Sequence, residues 1–255
     1  MNPVRIVWNE QSARWFRSAS EYTGYNRKLA ALLREELPPG GTLCDLGCGT
    51  GLIDFELAGY LKEITCVDIS PQAIRMVEEE IRRQGVGNLT ALCADADTLE
   101  GKWDTVLALF HGGAEVFSRY VRLAGERMIL AVHGSLRGHF GPENRRVVKC
   151  FDVQGVRKHL DELGVRYHLL QVALEHGQPL TDLQDSQAFV TAYALPMEAS
   201  ELDAYLRENL QTTGDAQYPY YLPKRREIGL FFIHREENAA LWERLAQTPG
   251  TPCAP

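Results

Sequence analysis

Leu43-Cys44-Asp45-Leu46-Gly47-Cys48-Gly49-Thr50-Gly51 is an apolar run that empties into alternating glycines and passes at once into the amphipathic segment 52–61. A strand-to-helix passage built of glycine turns tightly. It also presents backbone N–H groups at a helix N-terminus, where the dipole favours a negative group such as a carboxylate. The next apolar run, Ile64-Thr65-Cys66-Val67-Asp68, ends in an acid about 20 residues downstream, where a carboxylate can accept from both ribose hydroxyls of a nucleoside lying across the sheet edge. Spacing separates two cofactor classes. The dinucleotide fingerprint is GxGxxG, whereas this loop reads D-x-G-x-G-x-G, with Asp45 two residues before the first glycine. A pyrophosphate would be repelled by Asp45, and a methionine-type ammonium would be attracted, directly or through water.

Outward from this loop, short apolar runs alternate with helical periodicity. Strands are expected at 42–46, 63–68, 89–94, 103–109 and 127–133, and helices at 52–61, 71–84 and 114–124. That alternation is the signature of an α/β fold, a Rossmann-like, doubly wound parallel sheet with helices on both faces. Upstream, 22–37 is expected to be a helix stopped by Pro38 and Pro39, with Gly40 and Gly41 turning into the first strand, so residues 1–41 form a helical flank. Downstream, 153–163 has helical periodicity, and 167–174 and 227–234 are strand-like. The stretch from about 178 to 224 is an insertion before the last strand, with helices at 185–193 and 198–210 and an aromatic loop, Tyr218-Pro219-Tyr220-Tyr221. It is expected to act as a helical lid on one domain spanning 42–245, with 246–255 a disordered tail.

Together, DLGCGTG (45–51) and CVDIS (66–70) resemble the first two motifs of the class I S-adenosylmethionine-dependent methyltransferases, especially small-molecule enzymes such as those of quinone biosynthesis. Ala94-Asp95-Ala96-Asp97 after the third strand and Trp103-Asp104-Thr105-Val106-Leu107 in the fourth extend the resemblance over roughly 42–130. It implies a seven-stranded sheet and S-adenosylmethionine as cofactor, leaving as S-adenosylhomocysteine. The cofactor residues it implies are Asp45, Gly47, Cys48, Gly49, Gly51, Asp68, Ile69, Asp95 and Ala96, with Asp95 against the adenine amino group. Tyr22 is a further candidate, and with Tyr25, Tyr218, Tyr220 and Tyr221 it supplies ring faces that could close over the sulfonium.

Methyl transfer from a sulfonium is an in-line displacement that needs positioning and exclusion of water more than side-chain chemistry. Where the acceptor must lose a proton, His111 and His133, which follow the fourth and fifth strands, stand where a base belongs. Strand four ends in Leu109-Phe110-His111-Gly112 rather than the N/D-P-P-Y/F/W pattern of amide and adenine methylation, and no Pro-Cys pair or compact Asp/Asn cluster suggests cytosine methylation or a magnesium site. No metal is expected. The formal charge of −7 disfavours nucleic acid, and no apolar stretch approaches the ~20 residues of a membrane span. Six cysteines without a CxxC pair suit a reduced, cytoplasmic protein, monomeric or homodimeric, acting on a small-molecule acceptor. Two alternatives stay open: a non-catalytic binder of S-adenosylmethionine or S-adenosylhomocysteine, or another reaction class on this scaffold; and, less favoured, an NAD-dependent oxidoreductase.

Overall fold

β1 (Thr42–Leu46) lies at the middle of a seven-stranded sheet, hydrogen-bonded in parallel to β2 (Glu63–Asp68) on one side and β4 (Trp103–Leu109) on the other. The structure, a computed structural model, describes residues 8–134, 140, 152–194 and 196–247. With β3 (Leu89–Cys93), β5 (Ala124–His133), β6 (His168–Glu175) and β10 (Arg225–His234), the strand order is β3-β2-β1-β4-β5-β10-β6, and β10 runs antiparallel to both neighbours. Strand order reverses between β1 and β4, which opens a crevice beyond their carboxyl ends.

Both sheet faces are covered, which explains the nearly unbroken apolar runs. Leu43, Leu107, Ile129 and Phe232 face a core shared with α2 (Tyr25–Arg34), α3 (Leu52–Leu57) and α4 (Pro71–Gln84). Their alternates Cys44, Val106, Leu130 and Phe231 face one shared with α5 (Val116–Tyr120), α6 (Val153–Leu163) and α9 (Ala239–Ala246). The helix expected over 22–37 is interrupted. Gly24, at φ 66°, ends α1 (Glu10–Thr23) in the left-handed conformation and starts α2. α1 escaped the periodicity because much of its buried face is Ser12, Ser18 and Thr23. α9, equally unanticipated, buries Trp242; its last residue, Ala246, falls in the expected tail, of which 248–255 lie outside the described residues.

The insertion before β10 contains α7 (Leu183–Tyr193) and α8 (Ala199–Asn209) close to the expected bounds. Its aromatic segment is not all loop. Tyr220 and Tyr221 belong to β9 (Tyr220–Leu222), the centre of a small antiparallel sheet with β7 (Gln178–Leu180) and β8 (Gln211–Thr212). Leu180, Phe189, Val190, Leu206 and Leu222 form a separate core that is closed by Trp15 of α1. Asp185 fastens the same joint. One carboxylate oxygen accepts from Gln11 Nε2 (3.2 Å), Trp15 Nε1 (2.9 Å) and Arg14, and the other from the Thr181 amide (3.1 Å) and hydroxyl (3.2 Å).

Burial alone would raise the Asp185 carboxyl, but bonds from Arg14, Thr181 and Trp15 outweigh it and hold it below the ordinary carboxylate range. A depressed folded-state pKa gives stability that is present above the unfolded value and lost as pH falls through the folded one. Asp185→Ala is expected to cost about 2–4 kcal/mol at neutral pH by urea denaturation, because buried donors lose their acceptor, and less in acid. An unchanged denaturation midpoint would show that the joint does not hold the insertion.

Candidate functional site

The loop after β1 is shaped by what lies over it. Gly47 and Gly49 have φ of 74° and 56°, a region side chains avoid. A Cβ on Gly47 would lie 2.7 Å from Cγ of His111, and one on Gly49 would lie 2.6 Å from Cζ2 of Trp8. The Gly47 and Cys48 amides donate to the Val67 carbonyl (2.8 and 3.0 Å), while the Gly49 amide donates to Asp68 Oδ2 (3.0 Å). Asp68 Oδ1 accepts from the Ser70 amide (2.8 Å), so one carboxylate ties the glycine loop to the start of α4. Gly51, the last glycine of the loop, is the N-cap of α3.

Beneath the loop lies a pair of carboxyls. Asp45 and Asp54 are buried, and Asp45 Oδ1 and both oxygens of Asp54 have no hydrogen-bond partner among the described residues. Burial drives both well above the ordinary carboxylate range; Asp45 is raised further by the charge of Asp54 and Asp54 by Cys66. The Asp45 carboxyl is therefore packed under the loop. The Cys48 thiol is pulled down by contact with Cys66, but burial and the nearby carboxyls win and push it up to about 11, which keeps it protonated.

A carboxyl whose folded pKa is raised destabilises the protein increasingly as pH climbs from the unfolded value, about 3.9, towards the folded one. Asp54→Asn is expected to raise stability by about 1–2 kcal/mol at pH near 8, with little change near pH 4. Equal denaturation curves at both pH values would refute the strained pair.

Ile69, just past β2, is 54 % exposed beside Asp68, an apolar platform open to solvent. Beyond β3, Asp95 is exposed and its Oδ1 accepts from the Asp97 amide (3.0 Å) in an Asx turn. Asp97 is taken by Arg119 and by the Tyr120 hydroxyl (3.0 Å), and the Ala96 side chain is core.

β4 and β5 bring both histidines to the crevice. Phe110 has φ 56°, rare for a non-glycine residue, and its amide donates to the Ala131 carbonyl (2.7 Å). This kink seats His111 over Gly47. Burial lowers the His111 pKa, opposed by the Asp68 charge, so the ring is neutral near pH 7; Nε2 is buried with no partner among the described residues. The His133 ring lies 4.9 Å from that of Phe110. Tyr22 stands elsewhere, with Tyr221 (5.1 Å between ring centroids) and Tyr218 (6.2 Å) at the insertion. The structure places Tyr25, one of the tyrosines the sequence offered, at this end of the sheet, and adds Trp8, His176 and Arg226. Of these three only His176, just past β6, offered a sequence signal, the strand-end position that had drawn attention to His111 and His133.

Residues 43–124, from β1 to the start of β5, match a family model described as a methyltransferase domain. The chain is also 29 % identical over 163 residues to a probable cobalt-precorrin-6B C(15)-methyltransferase (decarboxylating) of Pyrobaculum aerophilum, spanning 59 % of this chain and 74 % of that one. The matched segment is an S-adenosylmethionine-dependent methyltransferase domain. The methyltransferase is further 35 % identical over 85 residues to a magnesium-protoporphyrin O-methyltransferase of Rhodobacter capsulatus, covering 32 % of this chain and 38 % of the relative. Its fold matches a magnesium protoporphyrin IX methyltransferase from Synechocystis PCC 6803, solved with bound SAM, at TM-score 0.50 and 18 % identity, over 90 % of this chain and 86 % of that one. S-adenosylmethionine is its cofactor, and its reaction is methyl transfer. Among the described residues no helix is long and apolar enough to cross a membrane, and no group of three or more His, Cys, Asp or Glu side chains is arranged to hold a metal ion.

Proposed function

We propose that the glycine loop, Asp68, Ile69, Asp95 and the Ala96 backbone hold the cofactor, and that the acceptor enters beside His111 and His133. The observation that carries this reading is the closeness of two strand ends at the topological switch point: Gly47 after β1 lies directly under His111 after β4, whose Nε2 is unsatisfied. The residues suit the cofactor. The glycines let the loop be approached closely, as the His111 and Trp8 rings already approach it, Asp68 keeps lone pairs beyond its two backbone bonds for ribose hydroxyls, and Asp45 Oδ1, beneath the loop, is an acceptor without a partner among the described residues. Cys48 and Gly51 contribute backbone, and Tyr22 acts from the insertion side.

When bound, S-adenosylmethionine supplies an electrophilic methyl group on a sulfonium. The chain's part is to align the acceptor and exclude water. His111, neutral, can hold a hydroxyl or amine of the acceptor at Nε2, and His133 is the second candidate to take a proton. α1 and the insertion roof this end of the sheet. The same reading puts the enzyme in the cytoplasm, as a monomer or homodimer, with no nucleic-acid or membrane partner.

The relatives' names make tetrapyrroles the first acceptors to try. Incubation with S-adenosylmethionine and either cobalt-precorrin-6B or magnesium protoporphyrin, then a wider metabolite extract, should give a product that requires both enzyme and cofactor and is heavier by one methylene, or changed by one methylene gained and one carbon dioxide lost where the precorrin is also decarboxylated. S-adenosylhomocysteine binding without such a product from any source would point to the non-catalytic reading.

A further inference from the structure

Arg226 is the second residue of β10, at the cofactor end of the sheet, and pairs in register with Leu174 of β6. Its guanidinium carbon sits 3.6 Å from the centroid of the Phe110 ring and 5.9 Å from that of Tyr25. No carboxylate lies within ion-pair distance of it among the described residues. The nearby acid Glu175 is occupied by the Tyr221 hydroxyl and the Lys224 amide. Tyr25 is 2 % exposed, and its hydroxyl has no hydrogen-bond partner among the described residues. His176 packs edge-on against Tyr25, ring centroids 4.3 Å apart, and burial together with the Arg226 charge lowers its pKa to about 3, so it is neutral at working pH. A planar cation, a buried phenol and a neutral imidazole therefore meet around one spot, all able to donate, next to the ring that carries the strained Phe110 backbone.

Resting on the acceptor placement above, we infer that Arg226 and Tyr25 bind a carboxylate of the methyl acceptor, and that this acceptor is a flat conjugated anion lying against Phe110 and His176. Arginine presents a fork that matches a carboxylate with two parallel bonds, and a half-buried guanidinium on an aromatic face is short of the water that would otherwise satisfy it. A single arginine balances one negative charge, which favours a carboxylate over a phosphate dianion. Held there, the anion fixes the acceptor's long axis relative to His111 and His133, so Arg226 selects the substrate and takes no part in the displacement.

The test uses the full chain saturated with S-adenosylhomocysteine and three flat probes, naphthoate, naphthalene carboxamide and naphthyl phosphate, measured by calorimetry. Naphthoate should bind about tenfold or more tightly than the isosteric amide, the scale of one charged hydrogen-bonded contact. Arg226→Gln should erase that preference without changing S-adenosylhomocysteine affinity, and Arg226→Lys should keep part of it. Equal affinity for naphthoate and the amide in the wild type, or a preference that survives in Arg226→Gln, overturns the inference; tighter binding of naphthyl phosphate overturns the choice of carboxylate. Because the wild-type comparison needs no variant, a misfolded variant does not rescue the idea. Failure to bind S-adenosylhomocysteine at all would instead strike the cofactor assignment on which it rests.

Discussion

Gly47→Ala is expected to lower S-adenosylhomocysteine affinity by more than about 100-fold, the largest loss from any single methyl group added to this protein. Two costs combine. Alanine at φ 74° pays about 1–2 kcal/mol in the left-handed region, and its Cβ would overlap the His111 ring that rests on the loop. The imidazole must then swing away, carrying Phe110 and the end of β4 with it. Pairing the substitution with His111→Gly separates the costs: the overlap disappears while the dihedral strain stays. Calorimetry and thermal melting of the single and double variants should show partial recovery in the double. Wild-type affinity in Gly47→Ala would mean that the loop does not approach the cofactor.

Asp68→Ala should come next, with a loss of at least about 100-fold, since a carboxylate accepting from two ribose hydroxyls forfeits about 1.5–3 kcal/mol for each. The structure adds a second reason to the one the sequence offered. Asp68 also holds the Gly49 and Ser70 amides, so its removal loosens the loop before any cofactor arrives. Asp68→Asn separates these roles, because an amide oxygen can still accept from one N–H but cannot serve four donors. It should fall between wild type and alanine in affinity while melting close to wild type. A dissociation constant for Asp68→Ala within a factor of about two of wild type would remove this residue from the site.

How far the sequence could be read follows from the range of the forces involved. β1, β2 and β4 fall on the expected bounds because a strand buried on both faces must be apolar throughout, and the glycine loop announces itself by residue type. α1 was opaque. Its partner is the insertion, and a helix that buries serines and a threonine against another segment shows no apolar stripe of its own. The small sheet around β9 was hidden because Tyr220 and Tyr221 follow a proline and precede another two residues on, which reads as loop. At the site, His111 and His133 were visible as residues after strand ends, but the inward packing of Asp45 against Asp54 depends on how α3 sits on β1. Arg226 carried no signal: only the antiparallel entry of β10 between β5 and β6 brings a residue so late in the chain to Phe110 and Tyr25.

The joint between α1 and the insertion has a consequence for the order in which the chain is made. Gln11, Arg14 and Trp15 leave the ribosome well before their partner Asp185, which lies 170 or more positions later, and the core that covers Trp15 ends at Leu222. At ordinary synthesis rates of about 5–20 residues per second, the indole waits on the order of 10–40 s for its cover. Strands β1 to β5, by contrast, can find each other while the rest is still being added. The roof of the site therefore consolidates late, just before β10 enters between β5 and β6, and for that interval the nascent chain has a five-stranded sheet and a helix whose Trp15 still lacks its cover, a stage at which a chaperone has much to protect.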